Sequence, residues 1–188
     1  MKPTLLIFGY GFIGAAFADA ARAGYDIVAT ARSPEKRSEL TAQALTAIDP
    51  AEPVALAEAL GNAAGILITP APDDDGCPAF AALSGFDLSG KWIGYLSTTG
   101  VYGDRGGGWV FEDSTLIPTS AEGRRRVLAE SQWLGIGAQV FRLPGLYGPG
   151  RNVIERLRDG TARRIHKPGH VFSRLHHDDC ATALGGPP

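Results

Sequence analysis

Short apolar runs alternate with helical patterns along most of the chain, and this alternation limits the possible folds more than any other feature. Six runs read as buried strands, namely TLLIF, YDIVAT, LTAID, GILIT, WIGYLST and AQVFRL. The segments between them have helical composition and are bounded by Gly, Pro or a Ser that can cap a helix, as Ser33 and Ser120 are expected to do. Strand and helix repeated with short connections predict a parallel sheet covered on both faces. We therefore expect a doubly wound α/β domain with three α/β/α layers.

Composition and charge exclude several classes of protein. The chain has 188 residues, which favours one domain, and a formal net charge of −2, which argues against a general nucleic-acid or membrane-surface binder. No apolar stretch approaches the roughly 20 residues that a membrane span needs. Cys77 and Cys180 have neither metal-site nor redox-motif spacing, so we expect reduced thiols and a cytoplasmic location.

A glycine-rich loop follows the first apolar run and opens the first helix. Gly9, Gly11 and Gly14 have the G-x-G-x-x-G spacing, which in this context predicts a loop that binds a dinucleotide. The first glycine permits a tight turn, the second lets the backbone approach a diphosphate, and the third lets helix and strand pack closely. The predicted cofactor-binding set also includes the neighbouring residues Tyr10, Phe12, Ile13 and Thr69.

The end of the second strand favours NADP over NAD. NAD-binding domains usually carry Asp or Glu here for the ribose 2′-hydroxyl, whereas this strand is followed by Arg32 and Ser33. An arginine can pair two N–H groups with a 2′-phosphate. Asp49, at the end of the third strand, has two open interpretations: a contact to the adenine amino group, or a cap on the following turn.

Four motifs resemble those of a known family, in the family's order. They are the glycine loop, STTGVYG after the fifth strand, RLPGLYGPG after the sixth, and RLHHDDCA near the end. The chain resembles the extended short-chain dehydrogenase/reductases, the NAD(P)-dependent epimerase/dehydratase group, and KPGHVFSR with RLHHDD resembles an atypical branch of it. The resemblance implies a Rossmann fold and an oxidoreductase or epimerase/dehydratase activity on a small-molecule carbonyl or sugar nucleotide.

The resemblance also implies catalytic positions. Thr98 matches the hydroxyl that orients the substrate. Glu122 and Arg126 occupy the places of the family's tyrosine and lysine, so Arg126 can keep the ribose contact while Glu122 is a poor substitute acid; Tyr102 is an alternative proton donor. Because the tyrosine is replaced, a second hypothesis stays open, that of a dinucleotide-binding redox sensor or partner-binding protein without turnover.

The end of the sequence supports three further expectations. His176, His177, Asp178 and Asp179 look like a metal cluster, but adjacent residues do not usually converge on one ion, so we expect no metal and instead a strand end with a capping aspartate. Residues 1–188 form one cofactor-binding domain, with part of a substrate-binding region from about residue 150. Relatives continue beyond CATALGGPP, which indicates a truncated or reduced member. A homodimer through the helix of Arg126 is implied by the resemblance, although RRR there opposes it.

Overall fold

The computed structural model describes residues 2–164, 166, 168–169, 171 and 173–185, and its centre is a six-stranded parallel sheet. The strands have the order β3-β2-β1-β4-β5-β6, which is the order of a doubly wound dinucleotide-binding fold. Their bounds are β1 (Thr4–Phe8), β2 (Asp26–Thr30), β3 (Thr46–Ile48), β4 (Ala63–Ile68), β5 (Trp92–Thr98) and β6 (Gln139–Leu143). The predicted α/β fold is confirmed.

Helices cover both faces of this sheet. The described helices are α1 (Phe12–Ala21), α2 (Pro34–Ala42), α3 (Pro53–Asn62), α4 (Pro78–Leu83), α5 (Ala121–Leu134), α6 (Val153–Arg158) and α7 (His177–Leu184), with a 3-10 turn at Thr99–Tyr102. Of these, α6 buries no residue and does not cover the sheet. No helix within the described ranges is long and apolar enough to cross a membrane.

Two apolar clusters, one on each face of the sheet, form the core. On one face α3, α4 and α5 pack their apolar sides against the strands, with Trp133 of α5 fully buried. On the other face α1, α2 and α7 do the same, with Phe17 of α1 and Leu184 of α7 buried. Continuous apolar strands such as β4 are what a sheet covered on both faces requires.

Two predicted helix caps are confirmed, and a third is corrected. The hydroxyl of Ser33 accepts from the N–H of Lys36 at the start of α2, and that of Ser120 accepts from Gly123 at the start of α5. The predicted capping aspartate of α7 is wrong. The cap is His176, whose Nδ1 accepts the N–H of Asp178 at 3.4 Å.

A second, smaller sheet follows β6 and was not expected from the sequence. Strand β7 (Gly145–Tyr147) pairs in parallel with β8 (Arg174–His176), which leads directly into α7. The pair places α7 beside α1, so the segment after residue 145 completes a helix layer of the main domain. It also carries the loop between β7 and α6 to the edge of the sheet where the strands end.

The core on the α5 face can be tested by neighbouring substitutions. Trp133 is fully buried, stacks on Tyr95 and meets Phe80 edge to face, whereas the adjacent Leu134 is 53% exposed. We expect Trp133→Ala to lower the free energy of unfolding by about 3–5 kcal/mol through the cavity it leaves. Leu134→Ala should change it by less than about 1 kcal/mol. Urea denaturation of both variants measures this, and equal losses would contradict the assigned packing.

Candidate functional site

A crevice of about 410 Å³ lies at the carboxyl ends of the central strands, where the chain order of the sheet reverses between β1 and β4. This position is where open α/β sheets bind ligands. Of the residues predicted from sequence, eight line it: Gly11, Phe12, Ile13, Gly14, Thr69, Thr98, Glu122 and Arg126. The others are Leu96, Ser97, Thr99, Leu143, Pro144, Gly145, Leu146 and Arg151, none of which the sequence identified as site residues.

Gly9 is not among the residues that line the crevice, but it forms a tight turn, with φ +89°, in contact with Thr69 of the lining. Its N–H donates to the hydroxyl of Thr30 at 2.8 Å, and its carbonyl accepts from the hydroxyl of Thr69 at 2.6 Å. A Cβ at Gly9 would lie 2.7 Å from that Thr69 oxygen. Thr69, predicted as a cofactor ligand, therefore supports the loop from beneath through its hydroxyl.

Gly11 and the start of α1 form an open cradle of backbone amides. An added Cβ at Gly11 would meet no atom within 4 Å, whereas one at Gly14 would lie 3.0 Å from the Gly9 carbonyl oxygen. No side chain caps α1, and its first turn contains no acidic residue. The N–H groups of this turn and the helix dipole therefore favour an anion at the open position.

The hydroxyls of Thr98 and Ser97 differ in what they can offer a ligand. Thr98 Oγ1 accepts the N–H of Gly100 at 3.2 Å as the cap of the 3-10 turn, which leaves its own hydrogen available. Ser97 instead donates to Glu130 Oε1 at 2.5 Å. The sequence prediction of Thr98 as the orienting hydroxyl is compatible with this arrangement.

A buried charge pair lies behind Ser97. Glu130 is almost fully buried and pairs with Arg142, whose Nη2 is 2.9 Å from Oε2. Arg142 Nη1 also donates to the Tyr102 hydroxyl and to the carbonyl of Glu112, both at 2.8 Å. The hydrogen bond to Glu130 raises the pKa of the Arg142 guanidinium, which therefore stays charged.

The predicted proton donor Tyr102 belongs to this buried network. Its side chain is buried, its ring lies under the Arg142 guanidinium, and it is not among the residues that line the crevice. One sequence signal could have indicated this network: Glu130 lies between Ala129 and Trp133 on the buried side of α5, where an unpaired charge is costly.

Glu122 and Arg126 both reach the crevice from the first turns of α5. Glu122 is exposed, and Arg126 is half-buried. Arg126 Nη1 donates to the carbonyl of Leu96 at 2.7 Å and to the hydroxyl of Tyr95 at 3.2 Å, which anchors the guanidinium to β5. Burial raises the pKa of Tyr95 to about 12 against the opposing effect of Arg126, so Tyr95 remains protonated at neutral pH.

The residues predicted to select the nucleotide lie beyond this crevice, at the ends of β2 and β3. Arg32 is exposed, and its side chain has no hydrogen bond or ion pair within the described part of the chain. Arg37, which the sequence analysis missed, holds the backbone there through the carbonyls of Ala31 and Arg32 and through Asp49 at 2.8 Å. Asp49 also accepts the N–H of Ala51 at 3.0 Å, which matches its turn-capping interpretation.

Three residues predicted to bind cofactor, one in the glycine loop and two at the start of α1, pack against the core. Tyr10 is half-buried against the α1 cluster, and burial, assisted by Asp19, raises the pKa of its hydroxyl. Ile13 is buried in the same cluster yet still lines the crevice through its backbone position at the start of α1. Phe12 is half-buried at the crevice edge.

The cluster at the start of α7 is tighter than expected from adjacent residues. One ligand atom from each of His176, His177 and Asp178 lies within 4.8 Å of the other two. His176 Nδ1 is already the helix cap, and His177 Nε2 is buried without a hydrogen bond, 3.3 Å from Asp178. The expectation that these side chains do not converge is therefore wrong, while the absence of a metal stays a prediction.

The chain is similar to several proteins of known structure. No protein-family model and no curated protein matches the chain. A solved protein of unknown function from Silicibacter pomeroyi DSS is 41% identical, with a TM-score of 0.86 over 98% of this chain and 67% of that one. The dTDP-glucose 4,6-dehydratase of Bacillus anthracis, solved with NAD, is 18% identical with a TM-score of 0.78 over 97% and 70%. The UDP-glucuronic acid 4-epimerase of Bacillus cereus is 20% identical with a TM-score of 0.70 over 96% and 71%.

The fold is thus that of the NAD-dependent epimerases and dehydratases, and the short-chain dehydrogenase resemblance read from the motifs is confirmed for the fold. At 41% identity, the chain belongs to the same family as the Silicibacter pomeroyi protein, of whose length it spans about two thirds.

Two glycine substitutions should distinguish the packed position in the loop, Gly9, from the open position, Gly11. We expect Gly9→Ala to lower stability by about 1–3 kcal/mol, because Cβ meets Thr69 and the positive φ is strained. Gly11→Ala should leave stability within about 0.5 kcal/mol, because its Cβ enters open space. Thermal unfolding measures both variants, and a large loss in Gly11→Ala would show that the cradle is packed by protein.

Proposed function

We propose that the protein is an NADP-dependent oxidoreductase or epimerase/dehydratase-like enzyme that acts on the carbonyl or carbinol of a small molecule. One observation carries the proposal. The uncapped amides behind Gly11 and the available hydroxyl of Thr98 face the same crevice. An anion cradle beside a hydroxyl at the end of a parallel strand is the arrangement that a nicotinamide dinucleotide and its substrate require.

The residues present fit a dinucleotide. The space in front of Gly11 would accept a diphosphate, since an added Cβ there would meet no atom within 4 Å. Glu122, Arg126 and Arg151 are the charged side chains among the described residues lining the crevice, which leaves it with one excess positive charge. The Bacillus anthracis and Bacillus cereus proteins were solved in complex with NAD, which supports a nicotinamide dinucleotide as the class of cofactor.

The preference for NADP over NAD rests on this chain's own residues. Arg32 extends into solvent from a backbone that Arg37 fixes, and no described carboxylate neutralises it. Asp49, the acidic side chain nearest along the strand ends, is held by Arg37 and by its own turn. A 2′-phosphate beside Arg32 would gain a charge-assisted pair, whereas a 2′-hydroxyl would find no carboxylate acceptor.

The proposed mechanism assigns separate tasks to the crevice residues. When bound, the nicotinamide supplies or accepts a hydride. The Thr98 hydroxyl donates its free hydrogen to the substrate oxygen, which orients that carbon and stabilises charge on the oxygen. Arg126, anchored to the Leu96 carbonyl, adds positive charge beside the same oxygen. In the oxidising direction, the Glu122 carboxylate accepts the carbinol proton.

One observation favours the alternative of binding without turnover. Among the described residues that line the crevice there is no tyrosine and no lysine, and the Arg126 guanidinium is committed to β5. The tyrosine and lysine that the family resemblance implies therefore have no counterpart among the described residues of the crevice lining. A redox sensor or a partner-binding protein would need only the cofactor cradle.

Calorimetric titration with NADPH and NADH tests the cofactor. We expect NADPH to bind about tenfold more tightly than NADH, because one charge-assisted hydrogen bond between Arg32 and the 2′-phosphate contributes about that factor to affinity. Arg32→Gln should remove this preference by weakening NADPH alone, and Gly11→Ala should weaken both ligands. Tighter binding of NADH by the unaltered protein would contradict the assignment of NADP.

Turnover tests the enzyme. In a screen of NADPH against sugar nucleotides and small carbonyl compounds, we expect Thr98→Val to lower kcat about 100-fold with unchanged NADPH affinity, because one donor to the substrate oxygen is lost. Thr98→Ser should retain activity, and Thr99→Val serves as the matched control. If no substrate reacts and Glu122→Tyr alone creates activity, the non-catalytic alternative is correct.

A further inference from the structure

Arg151 is a cation at the edge of the crevice to which the sequence motifs assign no role. It lies in the loop between β7 and α6, and its guanidinium carbon is 5.4 Å from the centroid of the Phe12 ring. Phe12 is the first residue of α1 and follows Gly11 directly. Arg151 therefore extends from the loop between β7 and α6 to the start of α1.

The position of Arg151 is fixed by the structure around it. Its N–H and carbonyl form a two-way backbone pair with Gly148, at 3.0 and 3.2 Å. Gly148 in turn packs against His177, whose Cδ2 would lie 2.1 Å from an added Cβ. The same His177 ring also contacts Phe12, with 5.1 Å between the two ring centroids. Phe12 thus joins the first helix to the loop that carries Arg151.

The charge of Arg151 is not neutralised by the protein. Other arginines of the fold pair with a carboxylate, as Arg37 does with Asp49 and Arg142 with Glu130. The Arg151 side chain makes no hydrogen bond or ion pair with any described residue. Its guanidinium lies over the face of the Phe12 ring. A cation held on an aromatic ring keeps its N–H groups available for an anion.

We propose that Arg151 binds the diphosphate of the dinucleotide from the side opposite the amides of α1. This inference rests on the proposed function and extends it to a residue of the β7–α6 loop. The amides behind Gly11 supply one wall of the diphosphate site, and the guanidinium on Phe12 supplies the other. The loop after β7 is then a part of the cofactor site and not only of the substrate region.

Calorimetry with ADP-ribose, NADH and NADPH tests this role. Arg151→Gln should weaken all three ligands by about the same factor, roughly tenfold, because all carry the diphosphate. Arg151→Lys should recover part of the loss. Arg158→Gln, which removes an equal charge from the exposed end of α6, should change each affinity less than twofold.

The pattern across ligands separates this inference from the proposed function. Arg32→Gln should weaken only NADPH, whereas Arg151→Gln should not distinguish NADPH from NADH. If the unaltered protein binds all three ligands and Arg151→Gln binds them equally well, the inference is wrong and the proposed function stands. The inference is also wrong, and the proposed function again stands, if Arg151→Gln raises only the KM of a substrate. If the unaltered protein binds none of the ligands, both the inference and the proposed function are wrong.

Discussion

The turn at Gly9 determines where the crevice opens, and the rest of the site depends on it. Its amide and carbonyl are held by the hydroxyls of Thr30 and Thr69, at the ends of the two strands flanking β1. These bonds satisfy the backbone groups of a turn that would otherwise be buried and unpaired. Because the two threonines bond the polar groups of Gly9, the turn is held in place without using the amides at the start of α1. These amides have no side-chain cap.

The buried pair of Glu130 and Arg142 performs a comparable task on the other half of the sheet. Through Ser97 and Tyr102 it joins α5, β6 and the 3-10 turn after β5. A buried ion pair is a weak source of net stability, but breaking one is costly. Its effect here is on position, since it commits the Ser97 hydroxyl to Glu130 while the neighbouring Thr98 hydroxyl keeps its own hydrogen available.

The sequence predicted the parts of the fold that local patterns encode. Continuous apolar runs identified the strands because both sheet faces are covered, and Ser33 and Ser120 identified helix starts because a cap needs only neighbouring atoms. Contacts between distant segments were not predictable in this way. The pairing of β7 with β8, and the position of Arg151 on Phe12, depend on where the chain returns in space.

Phe12 and His177 bring the beginning and the end of the described chain into contact, and α7 packs along α1 over the same face. A contact between residues so distant in sequence raises the contact order of the domain and slows its folding. During synthesis, the glycine loop emerges early, but Phe12 gains its aromatic neighbour only after α7 has also left the ribosome. The surroundings of the glycine loop are therefore completed late in folding.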